Sequence, residues 1–281
     1  MSTTTAPVAH ADRFFIGGEW VAPSTDATID VVDSTNEEVY YSIAEAAPDD
    51  MSRAVAAARD AFDNGPWSRL THAQRAEYIR ALGAGLLEHS DVLSQLWPRE
   101  SGTLYKVSQH AGRIGSRALE SYAALADTFP FEEECPPTGG GAFGLLVREP
   151  VGVVGAIIPW NAPVALICHK IGPALLAGCT VVLKSSPEAP GEGYVFAEVA
   201  EQIGLPPGVL NVVTADREVS ELLVRDAGVD KVTFTGSTAA GRRIASLCGE
   251  RIARCTLELG GKSAAVILDD MDLGTAAKTL A

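Results

Sequence analysis

Apolar runs and amphipathic stretches alternate along the second half of the chain. Five runs rich in β-branched residues predict buried strands, and they read "VGVVGAIIP", "CTVVLKSS", "GVLNVVTA", "KVTFTG" and "ARCTLELGG". The stretches between them, such as "APVALICHKIGPALLAG", have the length and spacing of helices. This alternation, with its short loops, predicts an α/β fold built on a doubly wound parallel sheet with right-handed crossovers.

The first half of the chain has a different pattern. Residues 14–48 predict short strands, and Gly17-Gly18 is typical of a hairpin turn. One helix is predicted to start at Pro48, where two acidic residues follow. A second is predicted after Thr71, which forms a capping-box pattern with Gln74.

Turn residues interrupt the pattern between residues 129 and 149. Pro136-Pro137 and Gly139-Gly140-Gly141 lie in the middle of "FPFEEECPPTGGGAFGLLVREP", with apolar pieces on either side. We expect a hairpin arm that leaves the main body. Because an isolated hairpin is marginally stable, this arm is expected to pack on another subunit.

The pattern also predicts a division of the chain. Residues 1–13 are expected to form a disordered lead, and residues 14–128 together with 150–260 a single domain. Residues 129–149 are the predicted oligomerisation arm. Residues 261–281 are expected to begin a further domain, with "SAAVILDD" as a last strand.

Composition excludes several classes of function. Acidic residues outnumber basic ones by 36 to 22, and no basic stripe is present, which argues against nucleic-acid binding. No apolar run is long enough to span a bilayer, and the first residues lack the apolar core of a secretory signal. The five cysteines are scattered, so neither a disulfide framework nor a metal site is expected. A cytoplasmic location fits these features best.

In a doubly wound sheet, ligands bind beyond the carboxyl ends of the strands. Asn161 lies at one such end, in "IPWNAP". It is either the N-cap of the following helix or an amide donor to an oxygen on which negative charge develops.

Two further strand ends carry groups suited to a nucleotide. Lys184 is either a solvated strand end or a contact for ribose hydroxyls or phosphate. Gly236 and Ser237 come where a strand turns into a helix, so free backbone N–H groups there suit a pyrophosphate. The segment is not GxGxxG, and "GGKS" is not a P-loop because Thr256 stands where that motif needs glycine.

Glu258 is a lone carboxylate in the apolar run "CTLELGG". Burial there would favour its neutral form, which is how a general base is brought toward neutral pH. The alternative is a structural Glu that accepts hydrogen bonds from backbone N–H groups.

Five segments together resemble the aldehyde dehydrogenase superfamily, in its order and spacing. They are "REPVGVVGAIIPWNAP", "KIGPALLAGCTVVLK", "GLPPGVLNVV", "KVTFTGSTAAGRRIA" and "LELGGKSAAVILDD". The resemblance runs from about Phe14 to the last residue and implies the hydrolytic type of enzyme. It implies a Rossmann-like cofactor domain with N-terminal helices and an arm, without the catalytic domain.

The resemblance implies roles for individual residues. Asn161 is the oxyanion donor and Glu258 the base that activates water against an acyl-enzyme. A small aldehyde is the substrate, and the full-length form is expected to be a homodimer or homotetramer. The implied cofactor-binding residues are Ile157, Pro159, Trp160, Lys184, Ser186, Phe234, Gly236, Ser237, Ala240, Leu259 and Gly260.

The family's chemistry also needs a cysteine thiolate that forms a thioester with the substrate. The resemblance places this nucleophile further along than Ala281. Cys168 and Cys179 lie in apolar context, and Cys255 points away from Glu258 on the same strand. We therefore expect this chain alone to be inactive; the alternatives are a non-catalytic nucleotide-binding protein and an acyl-CoA-forming or phosphorylating relative.

One departure from the family pattern concerns the cofactor. Many members have "KPSE", whose Glu binds the ribose hydroxyls, whereas this chain has Pro187 in that position and Glu188 one place later. NAD is the expected cofactor, and NADP stays open.

Overall fold

The computed structural model describes residues 6–280 and contains three β-sheets. The strands are β1 Phe14–Ile16, β2 Glu19–Val21, β3 Thr28–Val32, β4 Val39–Ala44, β5 Glu132–Cys135, β6 Gly144–Val147, β7 Val153–Ile157, β8 Thr180–Ser185, β9 Leu210–Thr214, β10 Lys231–Gly236 and β11 Arg254–Leu259.

Some helices precede the parallel strands in the chain, and others connect these strands or follow them. They are α1 Pro48–Asp63, α2 His72–Glu88, α3 Ser90–Ser101, α4 Tyr105–Ser108, α5 Ala111–Ala123, α6 Leu125–Thr128, α7 Pro163–Ala177, α8 Gly191–Gln202, α9 Arg217–Arg225, α10 Thr238–Glu250 and α11 Leu273–Leu280, with a 3-10 turn at Trp67–Arg69.

The large sheet has seven strands in the order β11-β10-β7-β8-β9-β1-β2. The five strands predicted from the apolar runs, β7 to β11, are parallel, and β1 and β2 add to one edge in antiparallel orientation. The predicted α/β fold with a parallel sheet is confirmed. The strand order reverses between β7 and β10, since β8 and β9 follow on one side of β7 and β10 and β11 on the other, and this places a crevice at the carboxyl ends of β7 and β10.

Helices cover both faces of this sheet. Side chains alternate along β8: Val181 and Leu183 face one apolar core, and Val182 faces the other. The first core lies under α2, α3, α5, α7 and α8, and the second under α1, α9 and α10. Burial on both faces explains why these strands are apolar throughout.

The two predicted N-terminal helices are present. α1 begins at Pro48, and Thr71 caps α2 by accepting a hydrogen bond from the N–H of Gln74 at 3.2 Å. The Gln74 side chain accepts in turn from the N–H of Thr71 at 2.9 Å, so the capping box is complete. Gly17 and Gly18 both have positive φ in the turn between β1 and β2.

The segment 129–149 contains an antiparallel hairpin of β5 and β6, as the turn residues predicted. Its second strand leaves Leu145, Leu146 and Val147 about half exposed.

The chain ends differ from the sequence-based expectations. "SAAVILDD", expected to be a strand, has no regular secondary structure, and all of its residues are exposed. Of the expected disordered lead, residues 1–5 lie outside the described residues. Val8, however, is buried, and the N–H of Ala9 donates to Glu198 at 2.9 Å. No helix within residues 6–280 is both long and apolar enough to cross a bilayer.

Candidate functional site

Two cavities open at the carboxyl ends of the parallel strands. The first, the α9–α10 cavity, has a volume of about 580 Å³ and is lined by Ile157, Lys184, Ser186, Phe234, Ser237 and Ala240, together with residues of α9. The second, the β11 cavity, has about 840 Å³ and is lined by Pro159, Trp160, Asn161, Gly236, Ser237, Glu258, Leu259 and Gly260. Every site residue named from the sequence lines one of the two, and Ser237 lines both.

Lys184 is buried in the wall of the α9–α10 cavity, at the end of β8. Only 7% of the residue is exposed, so the alternative of a solvated strand end does not hold. Burial lowers the pKa of its ammonium group to about 8, and the carboxylates of Glu188 and Asp216 oppose that shift. A buried cation with two nearby carboxylates is suited to holding a polar ligand by charge-assisted hydrogen bonds.

Glu188 lines the same cavity, although it comes one position later in the sequence than the Glu of the "KPSE" pattern. Its carboxylate accepts a hydrogen bond from the Ser186 hydroxyl. Asp216 is held by its role as N-cap of α9, where it accepts from the N–H of Val219 at 2.9 Å. Two oriented carboxylates therefore face the same space as Lys184.

An ion-pair network forms the rim of the α9–α10 cavity. Arg243 donates to both carboxylate oxygens of Glu221, at 3.0 and 2.8 Å, and Arg225 donates to one of them at 2.7 Å. These hydrogen bonds, first from Arg243 and then from Arg225, lower the pKa of Glu221 to about 2. Sequence reasoning missed this network because its members come from two different helices.

The amino end of α10 forms the wall between the two cavities. Ser237 caps it, accepting from the N–H of Ala240 at 3.2 Å. The first N–H groups of a helix have no partner within the helix, so they can hold an anion at this point. A side chain at Gly236 would meet the ring of Phe234 at 2.4 Å, so only glycine fits the turn into this helix.

Asn161 lines the β11 cavity and is not a helix cap. The N-cap of α7 is Ala162, and no side chain caps that helix. The main-chain carbonyl of Asn161 accepts from the indole N–H of Trp97 at 3.0 Å, which fixes the backbone here. Its side-chain amide has no hydrogen-bonding partner among residues 6–280 and stays available for a ligand.

Glu258 lies across the same cavity, on β11. We expected burial in an apolar strand, but β11 is an edge strand and the residue is exposed. Residues 6–280 therefore do not provide the burial on which the predicted neutral form of Glu258 depends. The structural alternative also fails, because no backbone N–H within residues 6–280 donates to this carboxylate.

Lys170 is a residue of this site that the sequence did not reveal. It lies on α7, is buried, and donates to the hydroxyl of Thr233 at 3.2 Å in the wall of the β11 cavity. Burial lowers its pKa to about 8, while the nearby carboxylate of Glu258 raises it. Its place after Asn161 in an apolar helix gave no sign that it reaches the next strand.

None of the five cysteines lines the β11 cavity. Cys168, Cys179 and Cys248 are buried, and burial raises the pKa of each thiol. Cys255 is exposed, three residues before Glu258 on β11, and Cys135 lies on the hairpin arm. The chain thus contributes an amide, a carboxylate and an ammonium group to this cavity, but no thiol.

Comparison with known proteins assigns the chain to a family. Residues 20–281 match the model of the aldehyde dehydrogenase family. A geranial dehydrogenase from Castellaniella defragrans is 43% identical over 269 residues, which is 95% of this chain and 56% of that protein. A mitochondrial succinate-semialdehyde dehydrogenase from Arabidopsis thaliana is 38% identical, over 94% of this chain and 49% of the relative.

Solved structures give the same result. An aldehyde dehydrogenase from Mycobacterium tuberculosis, complexed with NAD+, superposes with a TM-score of 0.91 at 42% identity, covering 96% of this chain and 56% of that one. Aldehyde dehydrogenase C from Pseudomonas syringae, complexed with NAD+ and octanal, has a TM-score of 0.90 at 34% identity, covering 97% and 55%. The chain spans about half the length of the relatives it matches. By sequence and by fold, it belongs to the aldehyde dehydrogenase family.

Proposed function

We propose that this chain is the cofactor-binding part of an enzyme that oxidises an aldehyde to a carboxylic acid with NAD+. The observation that carries the proposal is the pair of cavities joined at the amino end of α10. A dinucleotide has two nucleoside halves and a pyrophosphate between them, and it fits this division. Similar chains were solved with NAD+ bound, which supports the assignment.

The α9–α10 cavity would hold the adenosine half. Lys184 would contact the ribose, with Ile157 and Phe234 as apolar neighbours. The pyrophosphate would accept hydrogen bonds from the first N–H groups of α10 beside Ser237. The nicotinamide would lie in the β11 cavity near Leu259 and Gly260, and when bound it supplies the acceptor for the substrate's hydride.

Two polar groups of the β11 cavity would act on the substrate. The free amide of Asn161 would donate to the carbonyl oxygen as negative charge develops there. Glu258 would accept a proton from the water that releases the acid. Its exposure leaves it open to water, and the ammonium group of Lys170 lies near it.

The covalent step requires a thiolate, which we propose comes from outside residues 6–280. This proposal rests on the absence of any cysteine from the lining of the β11 cavity. The expected consequence is that the 281-residue chain binds the cofactor but does not oxidise aldehydes. Sequencing the reading frame beyond the codon for Ala281 separates this function from the alternative of a non-catalytic nucleotide-binding protein, which predicts no in-frame cysteine there.

The cofactor is proposed to be NAD rather than NADP. Glu188 and Asp216 place two carboxylates in the α9–α10 cavity. A carboxylate accepts hydrogen bonds from ribose hydroxyls, whereas it repels the 2′-phosphate of NADP. Glu188 thereby replaces the carboxylate that the family pattern carries one place earlier.

The arm of residues 129–149 is proposed to mediate contact between subunits. Its exposed apolar strand β6 and unpaired edges support this role. Sedimentation equilibrium of the chain, compared with a variant carrying Leu145→Lys and Val147→Lys, tests it. If the parent is oligomeric and the variant has the same mass as the parent, the proposal is contradicted.

Calorimetric titration of the chain with NAD+ tests the cofactor site. We expect binding, and we expect Lys184→Met to weaken it about tenfold, because a hydrogen bond from a charged group is lost. Lys106→Met, at an exposed position on α4, is the matched control and should bind as the parent does. Failure of the folded parent chain to bind NAD+, or efficient NAD+-dependent turnover by the chain of verified mass, would overturn the proposed division of labour.

A further inference from the structure

Two carboxyl groups are buried together where α3 meets the start of α8. Glu100 lies near the end of α3 and is 5% exposed, while Glu192 lies in the first turn of α8 and is fully buried. The N–H of Gly191, the residue before Glu192, donates to Glu100 at 3.3 Å, and the charge of Glu100 acts on the carboxyl group of Glu192. Neither belongs to the two cavities described above.

The partners of the two carboxyl groups differ. Glu100 accepts a hydrogen bond from the Tyr41 hydroxyl at 2.5 Å and another from the N–H of Gly191 at 3.3 Å. Neither side-chain oxygen of Glu192 accepts a hydrogen bond from a donor within residues 6–280. A buried carboxylate without a donor is strongly unfavourable, so the neutral acid is the expected form of Glu192.

Within residues 6–280, no cation pairs with either acid. The other titratable groups that face them are the phenols of Tyr40 and Tyr41 on β4 and of Tyr194 on α8, which carry no positive charge. Arg99, the nearest guanidinium on α3, packs over the ring of Tyr40 at 4.7 Å and pairs with Asp33 at 3.8 Å. Two adjacent carboxyl groups in such a setting do not both ionise, so they share a proton.

We propose that Glu100 and Glu192 form a shared-proton site in which protonated Glu192 donates to the carboxylate of Glu100. This bond joins α3 to the first turn of α8. Glu100 is the acceptor because it already receives two donors that stabilise its charge, and Glu192 receives none. The pair acts as a pH-sensitive clamp.

The clamp is close to the functional site in the chain. α8 starts at Gly191, directly after the segment that carries Ser186 and Glu188 into the α9–α10 cavity. The proton shared by the pair therefore helps to fix the end of the segment that lines the cavity. Its loss places two repelling charges at that junction.

The pH dependence has a defined sign. Burial raises the pKa of both carboxyl groups, and their mutual repulsion adds to the shift in Glu192. The folded chain therefore keeps a proton that the unfolded chain releases above about pH 4.3. Stability falls as the pH rises, because the unfolded state binds fewer protons.

Thermal unfolding of the 281-residue chain from about pH 5 to about pH 9 tests the inference. Glu192→Gln keeps a donor for Glu100 but does not titrate. We expect the melting temperature of the parent to fall relative to this variant as the pH rises. Glu77→Gln, at an exposed position on α2, is the matched control and should follow the parent. Parallel curves for the parent and Glu192→Gln would overturn the proposal.

Infrared spectroscopy supplies a measurement that does not depend on a variant folding. The parent at neutral pH should have the carbonyl stretch of a protonated, buried carboxyl group, and this band should disappear on alkaline titration. Absence of the band contradicts the shared proton. A stabilisation by added K+ or Ca2+ that Glu192→Gln removes would also overturn it, because a bound cation would then neutralise the pair.

Discussion

The ammonium group of Lys170 on α7 donates to the hydroxyl of Thr233 on β10 across a distance of 3.2 Å. The bond ties a helix that follows the Asn161 loop to the strand beside Glu258. Two elements of the β11 cavity, α7 and β10, are thereby connected through one buried cation. The cost is the partial desolvation of a charge, since the residue is only 6% exposed.

Replacing Lys170 with Met is expected to leave stability at neutral pH unchanged or to raise it by about 1–3 kcal/mol. The pKa of this ammonium group is lowered to about 8, chiefly by burial. Below that pH the charge is held at a penalty. As the pH rises through 8 toward the unfolded value of about 10.4, the folded state releases its proton first and the parent gains stability.

Urea unfolding at about pH 7 and about pH 9.5 measures this effect. Between these two pH values the stability of the parent should rise relative to that of Lys170→Met. Lys106→Met, which changes an exposed lysine, should behave as the parent. A loss of more than about 1 kcal/mol in Lys170→Met at neutral pH would mean that its hydrogen bond outweighs its desolvation.

Glu188 is expected to set the choice between NAD+ and NADP+. In Glu188→Gln the repulsion of a 2′-phosphate is reduced and a charged acceptor for the ribose is lost. Binding of NAD+ should weaken about tenfold while binding of NADP+ should strengthen, as measured by calorimetry.

The control for this experiment is Glu77→Gln, which lies far from the cavity in sequence and is exposed on α2. It should leave both affinities unchanged. If the parent prefers NADP+, the cations that line the same cavity, Lys184, Arg217 and Arg243, would outweigh the two carboxylates.

Two helical glycines are expected to respond oppositely to alanine. A side chain at Gly85 in α2 would meet a methyl group of Val199 at 2.3 Å, whereas nothing lies within 4 Å of the position at Gly249 in α10. Gly85→Ala should lower the free energy of unfolding by about 1–3 kcal/mol through overpacking. Gly249→Ala should raise it by up to about 1 kcal/mol, since alanine favours the helix.

Denaturant unfolding of both variants beside the parent checks this pair. The two share the chemical change and differ only in the space around the new methyl group. Equal effects in the same direction would mean that helix propensity, and not packing against Val199, decides the outcome.

Much of the fold could be predicted from local patterns in the sequence. Buried parallel strands such as β8 are apolar on both faces, so their runs stand out. The capping box at Thr71 marks the start of α2 because it depends on residues three positions apart. The strand-end rule likewise led to Lys184 and Ser237, since the ends of parallel strands meet at one edge.

What could not be predicted depends on contacts between distant segments. Glu258 was expected to be buried, but its strand lies at the sheet edge. The apolar composition of a run does not reveal the position of its strand in the sheet. Lys170 and Glu192 lie in apolar helices whose packing partners come from other elements. A buried charge is recognisable only when its neighbours in space are known.

Gly241 has a mechanical consequence. A side chain there would meet a methyl group of Leu259 at 2.4 Å, so the Leu259 side chain at the end of β11 packs directly on the backbone of α10. This packing holds the carboxyl end of β11, which carries Glu258, against the first turns of α10, which carry the N–H groups beside Ser237. We therefore expect a displacement of α10 to displace the end of β11, and a displacement of β11 to displace α10.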